Sequence, residues 1–330
     1  MNNFHIIKKI TNNSKSYLII ALLKENITWI ALIIFFIVFS IIFPNFASLR
    51  NLLNMLRQSA VLGIMAVGMT FAMISGSYDL SVGATMGLAT VIVIQLQPID
   101  LYSTIIAILV GLSVGLLIGL VNGFLVGKAG SNSVVATIGM MYVVLGITLI
   151  YTRGHHVWAR NMYDKFAFLG SGNIGQFPVP TLIFLSVAII SQVILSLTNF
   201  GRELYATGSS QECSIFSGIN IGWIKLKGYV ISGLLASLGG VIMAARVNNV
   251  DPMFAVGYEF DVLTAVLLGG VSLLGGKGSS FGAVGGVFLM VMINNAMVLS
   301  GMTYEWESMV KGMLLIGIVI MYSLIKERRG

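Results

Sequence analysis

Long apolar runs recur along this chain with so little charge between them that lipid, not water, must surround most of it. Only 9% of the 330 residues are charged and 57% are hydrophobic, and the mean hydropathy is +0.94. A soluble fold of this length could not hide that much apolar surface. Ten runs stand out, at 27–43, 59–75, 82–97, 104–127, 133–151, 179–198, 229–247, 261–274, 281–301 and 307–325. The expectation is an all-α integral membrane protein of about ten transmembrane helices, forming one membrane-spanning domain over 1–330. Several runs are shorter than the ~20 residues that cross hydrocarbon straight. The short ones flank Gly-rich breaks: Gly76, Ser77, Tyr78, Asp79, Leu80 and Ser81 separate the second run from the third, and residues 275–280 separate the eighth from the ninth.

Orientation follows from where lysine and arginine fall, because basic residues gather on the cytoplasmic side. With the N-terminus inside, cytoplasmic segments hold Lys8, Lys9, Lys15, Lys24, Lys128, Arg202, Lys225, Lys227, Lys277, Lys326, Arg328 and Arg329. External segments hold only Arg50, Arg57, Arg153, Arg160 and Lys165, and Arg246 and Lys311 fall within runs. Both termini are therefore expected in the cytoplasm. Residues 1–26 read as a cytoplasmic or interfacial lead-in, with an interfacial helix near 17–23. The run at 27–43 is too long for a signal-peptide core and no Ala-x-Ala-like site follows, so it reads as an uncleaved first span. The formal charge of +7 lies at segment ends instead of in one stripe, which argues for topology and against nucleic acid. Cys213 is the sole cysteine, so neither an intramolecular disulfide nor a cysteine-cluster metal site can form.

The fourth run carries Gly111, Gly115, Gly119, Gly123 and Gly127 at four-residue spacing. Such a row makes a groove on one helix face where a neighbouring backbone can approach. Asp79 is a carboxylate at membrane depth, where charge is costly and marks function or a cap. Asp79 or Ser81 could satisfy the free N–H groups that open the third helix. No second buried carboxylate is evident beside it. Residues 275–280 look superficially like a phosphate loop, but Val271 stands where glycine is needed and Gly278 follows Lys277. Nucleotide binding by this chain is not expected; a hairpin presenting Lys277 is. Asn294 and Asn295 interrupt an apolar run. About 100° apart on a helix, they cannot both face one cavity, so one is expected to line a polar path and the other to pack. His155 and His156 lack companion ligands at metal spacing. No nucleophile–base set or intramembrane metal motif is visible, so no covalent chemistry and no cofactor are expected.

One polar island interrupts the lipid-compatible sequence: NFGRELYATGSSQECSIFSGINIGWIKLK, residues 199–227. Gly208, Ser209, Ser210, Cys213, Ser214, Ser217 and Gly218 are small and closely spaced, with Phe216 and Ile219 as apolar knobs. A short helix with a small-residue face and a few knobs suits insertion into a groove on a partner protein. The expected contacts are Gly208, Glu212, Ser214, Ser217 and Gly218.

The segments GMTFAMISGSYDLSVGATMGL (68–88), FGRELYATGSSQECSIFSGI (200–219) and YEFDVLTAVLLGGVSLLGGKGS (258–279), with the Asn pair at 294–295, resemble the permease subunit of bacterial ribose/galactose/xylose-type ABC importers. The resemblance runs from about residue 27 to 325. It implies a multi-pass protein of the bacterial cytoplasmic membrane that pairs with a second permease copy, identical or related. A cytoplasmic sugar-type ATPase would receive the coupling helix of segment 199–228, and an external solute-binding protein would deliver a simple sugar. The sequence departs from the usual pattern at Ser77 and Tyr78, at Cys213, Ser214 and Ile215, and at Ala296. External acids at Asp251, Glu259, Asp261, Glu305 and Glu307 are candidates to meet the binding protein. The alternatives are an importer of the same kind for a nucleoside or branched-chain amino acid, and an ion-coupled secondary transporter. The last would need paired buried carboxylates.

Overall fold

The computed structural model describes residues 27–96 and 98–327, so the expectations for 1–26 lie outside the described residues. Its helices are α1 (Ile27–Ile42), α2 (Leu49–Ile74), α3 (Val82–Gln95), α4 (Leu101–Gly123, continued by a π-helical turn Phe124–Lys128), α5 (Ser133–Thr152), α6 (Asp164–Ser171), α7 (Val179–Leu197), α8 (Asn199–Ser209), α9 (Gln211–Phe216), α10 (Ile221–Arg246), α11 (Tyr258–Leu268), α12 (Ser280–Leu299) and α13 (Tyr304–Glu327). The two-residue strands β1 (Val157–Trp158) and β4 (Asn249–Val250) pair antiparallel, as do β2 (Asn173–Ile174) and β3 (Phe177–Pro178). The fold is all-α in substance. Among the described residues, six helices are long and apolar enough to cross a membrane: α2, α4 with its π turn, α5, α7, α10 and α12.

Each of the ten apolar runs contains a helix, but the ends differ: polar residues extend some, and the run at 261–274 leaves helical form after Leu268. α2 begins at Leu49, ten residues before the run at 59–75, because Ser48 caps it by accepting the Asn51 N–H. Arg50, Asn51, Arg57 and Gln58 then ride on its first turns. At 26 residues α2 is about 39 Å long, more than the hydrocarbon thickness. α3 and α11, at 14 and 11 residues, reach only about 21 and 16 Å and cannot cross alone. The island is not a loop: it folds as α8, α9 and the opening turns of α10, capped by Thr198, Ser210 and Asn220.

The glycine row on α4 packs against α10, as a small-residue groove should. A β-carbon on Gly119 would lie 2.6 Å from the Tyr229 carbonyl oxygen, and one on Gly127 2.5 Å from that of Gly222. At Gly115 it would collide outright with the Gly233 carbonyl. The two backbones touch from Gly115 to Gly127, about three turns. α2 and α10 form the buried centre, with Ile64, Met65, Met69, Phe71 and Met73 of α2 fully enclosed.

Candidate functional site

Three features stand apart from simple helix packing: a polar break at 75–81, a cavity walled by α2, α10, α11, α12 and α13, and the island against the second break.

Backbone that leaves helical form inside a bundle must find partners from the side chains around it. At the first break the bundle supplies them. Tyr229 of α10 donates its hydroxyl to the Tyr78 carbonyl at 2.7 Å, and Thr137 of α5 accepts the Leu80 N–H at 3.1 Å. Asp79 is 1% exposed. Its Oδ1 accepts the Ser81 N–H (3.2 Å) and hydroxyl (2.7 Å), and its Oδ2 accepts the Ser232 hydroxyl at 2.7 Å. Asn122 of α4 donates to the Ser81 hydroxyl oxygen at 2.8 Å. Ser81 is the N-cap of α3 by position, but its side chain makes no capping bond. The carboxylate thus cross-links the break to α10 and, through Ser81, to α4. Sequence reasoning singled out Asp79 and Ser81 and missed Asn122 and Ser232; the one available signal was a polar residue within each apolar run.

The cavity has a volume of about 810 Å³. Gln58, Val61 and Leu62 of α2, Met243 and Arg246 of α10, Asp261 and Thr264 of α11, Asn294 of α12 and Ser308 and Lys311 of α13 line it, with Phe254, Tyr258 and Phe260 as aromatic wall. It lies toward the far end of α10 from the island. Lys311 and Asp261 form a half-buried ion pair across it at 3.0 Å. The two asparagines part company. Asn294 faces the cavity, and its Oδ1 has no hydrogen-bond partner among the described residues. Asn295 packs, exchanging amide hydrogen bonds with Asn51 of α2 at 2.8 and 2.9 Å.

Two readings of acidic residues need correction. Glu259 was expected at an external surface, yet it is 3% exposed at the start of α11, accepting the Gly257 N–H and lying against Gly83 of α3. A helix N-terminus tolerates that charge. Asp79 is therefore not the sole buried carboxylate. Asp261 is drawn into the cavity by Lys311 and is no loop acid either.

In the island, Glu212, Cys213, Ile215, Ser217 and Gly218 are exposed and Phe216 stands out at 92% exposure. Ser214 is buried, its hydroxyl donating to the Ser210 carbonyl at 2.8 Å. Gly208 faces inward: a β-carbon there would fall on the Ile74 carbonyl. The second break forms the expected hairpin, with the Ser272 N–H donating to the Lys277 carbonyl at 2.9 Å and Lys277 exposed. Among the described residues no cluster of three or more His, Cys, Asp or Glu could hold a metal ion.

A bundle of long apolar helices interrupted by two backbone breaks, with a polar cavity toward one end and an exposed knob at the other, defines a transport protein more readily than an enzyme. Residues 51–319 match the family described as branched-chain amino acid transport system / permease component, and the chain belongs to that family. It is 36% identical over 301 residues to the ribose import permease RbsC of Bacillus subtilis (strain 168), covering 91% of this chain and 92% of that one. To the L-arabinose transport system permease AraH of Escherichia coli K12 it is 33% identical over 290 residues, 87% of each chain. To the probable ABC transporter permease YphD of the same strain it is 34% identical over 299 residues, 91% of this chain and 89% of that one. No solved structure matches the chain. The protein is a multi-pass permease of the inner membrane, and permeases of this kind work with an ATPase and a binding protein.

Proposed function

We propose that the chain is the translocation subunit of an ATP-driven importer for a simple sugar, a pentose such as ribose or arabinose before a hexose. The observation that carries this reading is similarity to sugar import permeases over nine-tenths of the chain. The cavity supports it chemically. Aromatic walls with a few convergent amide, hydroxyl and guanidinium groups suit a small neutral polyol, which presents apolar ring faces and many hydroxyls.

In this reading about ten helices span the membrane, α3 and α11 only together with the non-helical backbone of the breaks beside them; both termini and the island lie in the cytoplasm, and the cavity opens outward. A sugar-type ATPase receives α9 with Phe216 as the knob, and a second permease copy completes the pathway. The external binding protein delivers the sugar, which meets Asn294, Arg246 and Gln58. Closure of the ATPase on ATP shifts α8 and α9, and the bundle passes between outward- and inward-open forms. The permease itself makes and breaks no covalent bonds. Asp79 and Ser81 hold the first break in shape; they are not an ion-coupling pair, because Asp79 has all its hydrogen bonds within the bundle.

Reconstitution tests the reading. Vesicles holding the permease and its ATPase, supplied with loaded binding protein, should accumulate labelled ribose or arabinose only with ATP inside the ATPase compartment. Uptake driven by a proton or sodium gradient without the ATPase would sink it in favour of a secondary transporter.

A further inference from the structure

At the inner edge of the second break, three backbones meet with little more than the Ser209 hydroxyl among them. A β-carbon on Gly275 (φ +86°) would lie 2.7 Å from the Gly76 Cα and 3.1 Å from the Gly208 Cα, and one on Gly276 would lie 2.8 Å from the Ser209 nitrogen. The island helix α8, the first break and the second break therefore press directly on one another. Hydrogen bonds fasten the same junction. The Gly276 N–H donates to the Ile74 carbonyl at 2.8 Å, the Tyr78 hydroxyl donates to the Leu273 carbonyl, and the Tyr205 hydroxyl donates to the Gly278 carbonyl at 2.7 Å.

Steric contact transmits a push but not a pull, since close-packed atoms can separate at little cost beyond lost dispersion. A hydrogen bond resists separation. The contacts among Gly76, Gly208 and Gly275 let α8 push both breaks, while the Tyr205 hydroxyl ties α8 to the second break in the opposite sense. That break continues directly into α12, which starts at Ser280 and carries Asn294 into the cavity.

We propose that Tyr205 is a positioning residue for transport: its hydroxyl makes the second break, and through α12 the cavity wall, follow the island in both directions of the cycle. This rests on the island being the segment that the ATPase moves. The test is Tyr205→Phe, which removes one hydroxyl and keeps the ring. In vesicles with the ATPase and sugar-loaded binding protein, ATP hydrolysis should stay within about twofold of wild type, while sugar imported per ATP falls by about threefold to tenfold, the range expected for one hydrogen bond. The ratio is independent of how much protein is present, so a purely structural role, lowering abundance and both rates together, would leave it unchanged. An unchanged ratio overturns the proposal. If the wild-type complex itself shows no sugar-stimulated hydrolysis, the island is not an ATPase contact, and both readings fall together.

Discussion

Asn294 and Asn295 are adjacent in sequence and opposite in consequence. Asn295→Leu leaves the Asn51 amide without its partner in a half-buried setting, a cost of about 1–3 kcal/mol. Its membrane abundance should fall. Asn294→Leu leaves no orphan in the packing and puts an apolar group in the cavity, so abundance should hold while uptake falls. Immunoblots and labelled-sugar uptake on both single variants decide this, and wild-type values for both would remove the pair from site and fold alike. At the island the same distinction separates Ser214 from Phe216. Phe216→Ser should fold normally and lose ATPase co-purification, because that ring is almost wholly exposed. Ser214→Arg must force a long cation into a buried position and should lower abundance first. Full co-purification with Phe216→Ser would count against docking through α9.

Among the elements, the α4–α10 pair was the most legible in advance. Five glycines at one spacing can only form one face of a helix, and the structure sets the α10 backbone along it. Gly115→Leu should therefore be far more damaging than the same change at Gly139, where a β-carbon meets nothing within 4 Å. Overpacking there costs at least about 1–3 kcal/mol, and more where the obstacle is backbone. Thermal unfolding in detergent, followed by loss of monodisperse protein, should show a lowered midpoint for Gly115→Leu alone. Equal midpoints would mean that α4 and α10 can part without loss. The breaks were legible only as composition. Gly and Ser at 76–81 said that a helix stops, but their satisfaction by Tyr229, Thr137 and Ser232 depends on residues 57 to 153 positions away.

For the whole molecule, the arrangement of lysine and arginine makes a single strong prediction. In a Cys213→Ser background, a cysteine at Ser210 should resist an impermeant reagent applied outside whole cells and react once the membrane is opened. Labelling from outside would invert the topology and place the cavity on the wrong face for import.

The all-α membrane class was determined by the sequence alone, because apolar length and scarcity of charge are local properties that lipid and water read directly; charge asymmetry and one polar interruption supply the topology and the partner-facing island proposed above. The tertiary structure decided which polar residues matter. Glu259 is buried and Asp261 paired, Gly208 faces the permease's own breaks, and Asn294 lines the cavity while Asn295 packs. The reason is physical. Whether a polar group is a surface, a cross-link or a cavity wall depends on which distant helix lies against it, and in a bundle packed through glycines that choice is made by backbone contact between segments far apart in the chain.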